Sequence, residues 1–365
     1  MENNFKSKVG IVIQTMNRPD FMIRQLEYYA RVKNPHPIYI GDAGSDENKK
    51  KLQPTIEKLS KHLIVHYYSQ PENCNLAESR LELYGKVKEE YCVFSADDDY
   101  QIPNSLTKCA EFLKENPDYS SASGYSVSFR LVNNGVYGES KRLAEYPRYQ
   151  TESSTAAQRL ISLMSNFTIT DFSVHRVKQM IRCWQPSYIK DKCFAWDVLP
   201  TAMSVVLGKS KIIDCLSLIR QIDNPKQQAE AGQNSFEWIT LRDFQSSYGT
   251  FCDILAKEIS AIDSISIDEA RKAPRQALWS YLRIWLPYEY KKIYGIGADD
   301  RKKLNGNLLR KFKFHLGQKL PWLKKLYLRT APALSLYDKV MQPLSPYYKD
   351  FKPIFDSFSG KYRNS

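Results

Sequence analysis

Over about the first 100 residues the chain alternates short unbroken apolar runs with longer amphipathic segments. "KVGIVIQT" is a compact β-branched run that stops at "MNRPD", a turn with Pro19 placed to begin a helix. The following segment puts Met22, Ile23, Leu26 and Tyr29 on one helical face. "HPIYIGDAGSDE" reads as a second strand running into a polar, glycine-containing loop. "ENKKKLQPTIEKLSK" reads as a polar helix interrupted or kinked at Pro54. "HLIVHYY" is a third strand, "NLAESRLELYGKV" a helix with Leu76, Leu83 and Val87 inward, and "EYCVFSA" a fourth strand.

Such alternation predicts an α/β domain: a Rossmann-like, mostly parallel sheet flanked by helices. Ligands of these sheets bind outside the carboxyl ends of the strands. Three polar clusters stand there: Thr15 to Arg18, Asp42 to Asp46, and Asp97 to Asp99. Beyond the aspartates the pattern predicts a helix in "SLTKCAEFLKENPD" and strands in "YSSASGYSVSFRLV" and "KSKIIDCLSLIRQ". From about Ser235 it turns helical: Phe236, Leu241, Phe244, Tyr248, Phe251 and Leu255 fall at near-helical spacing, and "PRQALWSYLRIWLP" is a second helix ended by Pro287. The boundary is set at 230, with a catalytic unit over 1–230 and a helical, basic, aromatic-rich region over 231–365.

Composition narrows the class. A 365-residue chain with 42% hydrophobic and 25% charged residues is long enough for one large domain or two. No stretch reaches the roughly 20 apolar residues of a membrane span, and the N-terminus lacks a signal peptide's apolar core. A cytoplasmic protein is expected. The seven cysteines contain no C-x-x-C pair, so they read as reduced, mostly buried thiols. The net charge of +13 favours anionic partners. It is concentrated in Arg301 to Thr330, with ten Lys or Arg, no acid, and Leu, Phe and Trp interleaved. That composition suits either peripheral contact with an anionic membrane, at the inner face of the plasma membrane, or a solvated helix packed on the catalytic domain. Nucleic acid is disfavoured, since no nucleic-acid-binding motif is present.

Three consecutive carboxylates at a strand's end demand a positive partner or open solvent. Hard cations such as Mg²⁺ or Mn²⁺ take carboxylate and phosphate oxygens, so the triplet can bring a metal to a diphosphate. The strand with "QTMNRPD", the strand with "IGDAGSDE", the helix with "AESR" and the strand with "SADDDY" follow one another in an order that resembles inverting GT-A glycosyltransferases of the family 2 type. The resemblance covers roughly residues 8 to 225. It implies that Thr15 lines the nucleotide pocket, with Asn17 and Arg18 on the same donor side, and that Asp42 hydrogen-bonds the base. It also implies that Arg80 faces the nucleotide phosphates, that Asp97 and Asp98 contact the donor, and that Asp99 coordinates Mn²⁺ or Mg²⁺. Asp197 resembles the family's acceptor-side base, with Asp171 as its rival and His175 and Arg176 nearby. Many such enzymes add a later His to the metal. None occurs here between His175 and His315, and Asp223 in "LIRQIDNP" is the expected substitute.

The function implied is transfer of a sugar from a nucleotide-sugar donor, UDP-sugar favoured, to a glycan or lipid-linked acceptor, as in polysaccharide biosynthesis. Two alternatives stand beside it. A nucleotidyltransferase acting on a sugar phosphate uses similar carboxylates but usually a glycine-rich first loop, which "QTMNRPD" lacks. A non-catalytic basic binding protein with the same fold is the other.

Overall fold

The computed structural model describes residues 7–185, 189, 191–222, 235–294 and 336–360. The chain opens with β1 (Val9–Thr15), α1 (Pro19–Arg31), β2 (Ile38–Asp42), α2 (Asp46–Leu59), β3 (Val65–Ser69), α3 (Leu76–Lys86) and β4 (Tyr91–Ala96). β1 and β2 pair in parallel, as do β2 with β3 and β1 with β4. The spatial order β3-β2-β1-β4 means that the chain reverses its direction of travel across the sheet between β1 and β4. The carboxyl ends of those two strands therefore bound the crevice where ligands of such sheets are held. β1 and β2 are buried almost throughout, which is why they read as continuous apolar runs.

α1 explains why that crevice is rigid. Pro19 fills its first turn, where a missing N–H costs nothing. Phe21, Met22, Leu26, Tyr28 and Tyr29 are all buried, each contributing about 1.5–3 kcal/mol. Two polar residues are buried among them: Arg24 and Gln25 have no exposed surface. They serve the site described below.

The second half is more mixed than the expected mostly parallel sheet. It contains β5 (Tyr100–Gln101), α4 (Pro103–Glu115), β6 (Tyr119–Leu131), β7 (Ser140–Tyr146), α5 (Ala156–Met164), β8 (Val174–Arg176) and α6 (Val177–Trp184). A π-helical turn (Phe194–Val198), α7 (Leu199–Val206) and β9 (Lys209–Gln221) follow. β8 runs antiparallel to both β4 and β6, β7 and β5 are antiparallel to their neighbours, and only β6 with β9 adds a parallel pair. Polar alternation in these strands marks two faces but carries no information on direction.

The C-terminal helices are α8 (Ser235–Ile239), α9 (Phe244–Asp263), α10 (Ile267–Ala270), α11 (Lys272–Tyr294), α12 (Leu336–Met341) and α13 (Pro346–Phe358). α9 and α11 pack with α5 and α7 in one core. α13 returns to the other face of the sheet, where Phe358 stacks on Phe129 with centroids 4.2 Å apart. Two expectations about proline are corrected. α2 runs unbroken past Pro54, and α11 continues through Pro287 instead of ending there. Both prolines, and Lys50 and Arg283 four residues earlier, are exposed, so water can take the carbonyls that proline leaves without a donor. The single helical run expected from Phe236 to Leu255 is instead two helices with a break at residues 240–243.

All seven cysteines are free. Among the described residues no helix is long and apolar enough to cross a membrane. The basic segment Arg301 to Thr330, the boundary at 230 and Asp223 lie outside the described residues.

Candidate active site

The loops after β1, β2 and β4 converge at the reversal point. Parallel pairing places Thr15 opposite Asp42 and Gln14 opposite Ala96. The Thr15 hydroxyl donates to Asp97 Oδ2 at 2.8 Å, which ties β1 to the aspartate turn. Asn17 adopts a left-handed backbone (φ 56°), a conformation that Asn tolerates better than most residues. Its Oδ1 accepts from Ser45 N at 2.7 Å and Asn48 Nδ2 at 3.0 Å, joining the first loop to the second. Gly44 is required where these loops touch, because a Cβ there would lie 2.9 Å from Asp42 Oδ1 and 3.0 Å from Asn17 N. Asp42 is buried, with Oδ1 accepting from Gly44 N at 2.8 Å and Oδ2 from the Tyr67 hydroxyl at 2.9 Å.

The positive charge among the three aspartates is arginine. Arg18 pairs with Asp97 through Nη1 and with Asp98 through Nη2, at 2.8 and 2.9 Å. Arg220, from β9, donates through Nε to Asp99 Oδ2 at 2.9 Å, and Gln221 N donates to Asp99 Oδ1 at 3.0 Å. Beneath the turn, Arg24 Nη2 donates to the Asp98 carbonyl at 2.9 Å and Gln25 Nε2 donates to the carbonyls of Ala96 and Asp99. The backbone of the turn is thus held by α1 and its side chains by Arg18 and β9. Burial, reinforced by repulsion from Asp98, pushes Asp97 up to about 7 against the pull of Arg18. Burial likewise pushes Asp99 up to about 7, against Arg220.

These partners bear on how a metal could be held at the turn. Asp99 has no exposed surface and both of its oxygens accept from protein donors, so it does not fit the role of metal ligand as the side chains stand. Among the described residues no group of three His, Cys, Asp or Glu side chains is placed to hold a cation. Asp97 and Asp98 share Arg18.

Arg80 is also placed differently from the expectation. It does not reach the aspartate turn. Nη1 pairs with Asp171 Oδ2 at 2.8 Å, Nε donates to Gln14 Oε1 at 2.6 Å, and the guanidinium lies 3.6 Å from the Phe94 ring centroid and 4.7 Å from that of Trp184. Burial raises Asp171 to about 6, with Arg80 pulling down and the nearby Asp197 pushing up. Asp197 sits exposed on the π-helical turn, a distortion common at functional positions. Asp171 and Asp197 are therefore neighbours, one locked to Arg80 and one at the surface. His175 is buried with Nε2 at 2.8 Å from the Thr170 carbonyl, and Arg176 pairs with Glu90; neither reaches the turn.

Arg24, Gln25, Arg220 and Gln221 were not legible as site residues. The first two sit in an ordinary amphipathic helix. The last two lie in "LIRQIDNP", where the resemblance implies a metal ligand, and they supply a cationic and a backbone donor in its stead.

A sheet reversed between β1 and β4, with an acidic turn closing the crevice and a helical C-terminal region, defines a GT-A domain. The family model described as Glycosyl transferase family 2 matches residues 11–175. No curated protein matches the sequence. Among solved structures, S. aureus TarS residues 1–349 is similar at 13% identity, over 80% of this chain and 93% of that one, with a TM-score of 0.42. The same protein in complex with UDP-GlcNAc gives 14%, 79%, 92% and 0.42, and in complex with UDP 14%, 80%, 93% and 0.41.

Proposed function

We propose that the chain is an inverting glycosyltransferase that moves a sugar from a nucleotide diphosphate donor, UDP-sugar favoured, to a glycan or lipid-linked acceptor. The observation that carries this reading is the Thr15–Asp97–Arg18 junction at the reversal point, inside the family-matched segment. The nucleotide would lie over Thr15, Asn17 and Asp42. The diphosphate and sugar would lie at the Asp97–Asp98 edge beside Arg18, 15% of whose side chain is exposed.

An acceptor hydroxyl attacks the anomeric carbon opposite the diphosphate. The new carbon–oxygen bond forms as the bond to the phosphate oxygen breaks, and the nucleoside diphosphate leaves with the electron pair. Asp197 takes the hydroxyl proton. Of the two neighbouring carboxylates it is the exposed one, whereas Asp171 is held by Arg80. The divalent cation implied by the resemblance would supply charge neutralisation at the diphosphate, but Asp99 is not available to hold it. The basic segment Arg301 to Thr330 would keep the enzyme against an anionic membrane surface.

The test is calorimetric titration with UDP, followed by hydrolysis of a panel of nucleotide sugars with and without Mn²⁺. Asp197→Asn is expected to lower kcat by about 10²–10⁴-fold with UDP affinity unchanged. Absence of UDP binding would favour the non-catalytic basic binding protein.

A further inference from the structure

A half-buried arginine outside the site above has no carboxylate partner among the described residues. Arg148, in the segment after β7, donates through Nε to Ser123 Oγ at 3.2 Å, through Nη1 to the Ile169 carbonyl at 3.2 Å, and through Nη2 to Ser173 Oγ at 2.5 Å. All three acceptors are neutral, and a guanidinium carries five N–H groups. Among the described residues no Asp or Glu pairs with it. Arg24, wholly buried beneath the aspartate turn, likewise has only neutral acceptors, whereas four other arginines are compensated. Arg18, Arg80 and Arg220 have carboxylates. Arg159 is surrounded by four backbone carbonyls, two of them Val205 and Val206 at the negative end of α7. Burial pulls Arg148 down to about 10, with Tyr146 pushing up and the neighbouring cation Arg220 pulling further down.

Arg148 forms one wall of a cleft of about 260 Å³, counted to its open mouth, whose enclosed depth has room for about one water-sized group. Ser121 and Ser123 line it from β6, on the face opposite the core residue Ala122. Ser121 is 1% exposed and lines the cleft. Tyr149, Thr168, Thr170, Ser173 and Ser210 add further hydroxyls to the lining. Lys211 at the rim is already held by Glu152. The cleft adjoins the aspartate turn through one aromatic layer: Arg220 packs 4.2 Å from the Phe172 ring centroid, and Ser173 follows directly.

We propose that this cleft is an oxyanion subsite which takes a phosphate group of the acceptor, with one phosphate oxygen inserted between the Arg148 guanidinium and the Ser121 hydroxyl. The depth admits one oxygen, and the Ser121 and Ser173 hydroxyls beside a fixed cation suit the remaining lone pairs. The assignment to the acceptor, as distinct from the anion site itself, rests on the glycosyltransferase reading. It narrows the acceptor to one that carries phosphate within reach of the attacking hydroxyl.

The test uses the full chain, inorganic phosphate and glycerol 1-phosphate as probes, and calorimetry or NMR titration as the readout, with UDP titrated in parallel. Wild type is expected to bind both phosphate probes. Arg148→Met is expected to weaken them at least about tenfold, which corresponds to 1.4 kcal/mol, and Ser121→Ala several-fold, with UDP affinity unchanged in both. Arg148→Lys keeps the charge without the fork and is expected to fall between them, which separates loss of the site from loss of the fold. Phosphate affinity equal in wild type and Arg148→Met would place the anion elsewhere and overturn the proposal, as would acetate binding as tightly as phosphate. A chain that binds phosphate through Arg148 but does not bind UDP would keep the subsite and refute the glycosyltransferase reading.

Discussion

The ion pair between Asp99 and Arg220 is the most decisive point to perturb, because it stands where a metal ligand was expected. Asp99 is wholly buried and Arg220 nearly so, with side-chain exposures of 0% and 14%. Arg220→Met keeps most of the packing against Phe172 and Tyr146 but leaves a buried carboxylate whose remaining donor is Gln221 N. Removing one partner of a buried pair costs about 3–5 kcal/mol. Asp99→Asn can still accept from Gln221 N but turns the buried Arg220 cation into the unpaired member. The double variant buries neither charge. It is expected to recover at least about 2 kcal/mol relative to the sum of the single changes, well outside the roughly 0.5 kcal/mol scatter of independent sites. The assay is urea unfolding followed by near-UV circular dichroism at pH 8, above the value of about 7 to which burial pushes Asp99. Arg220→Lys should not rescue, because one ammonium cannot reach both Asp99 and the Tyr146 hydroxyl as the Nε and Nη1 groups do. Additive single effects would show that Asp99 does not depend on Arg220, and would reopen its oxygens to a cation.

Other consequences can be measured with the same protein. Thr15→Val leaves Asp97 Oδ2 short of a donor and should cost about 1–3 kcal/mol in urea together with a loss of UDP affinity; unchanged UDP binding would detach this junction from the donor pocket. Phe358→Ala removes a fully buried ring stacked on Phe129 and should cost about 3–5 kcal/mol; a cost near zero would mean that α13 is not part of the sheet's core. His175 is held neutral by burial, its value lowered from 6.5 to about 4. The unfolded chain therefore binds the extra proton first as pH falls. The stabilisation from neutral His175 is complete above pH 6.5 and is lost as pH drops toward about 4, an effect on the order of 3 kcal/mol. His175→Gln should lose less stability between pH 7.5 and pH 4.5 than wild type, and equal losses would assign the acid sensitivity to other groups.

The sequence by itself determined the four parallel strands of the N-terminal half, because strands buried on both faces must be continuous apolar runs, and VGIVIQT and YCVFSA are. It also determined that the loops after β1, β2 and β4 meet, since alternating strand and helix leaves few topologies. It showed the acidic turn but not what neutralises it. Arg18 is close in sequence to Thr15 and was read with it, whereas Arg220 lies 121 residues from Asp99 and reaches it because β9 pairs with β5 beside the turn. The resemblance implies that Arg80 faces the nucleotide phosphates, and nothing in the sequence points to its partner Asp171, 91 residues away. Arg148 looked like any surface cation in a loop. Charge pairing is decided by which side chains share a desolvated volume, and that volume exists only after distant segments have packed. Hydrophobic periodicity fixes the elements, and tertiary burial decides that the aspartates opening onto the crevice are held by arginine.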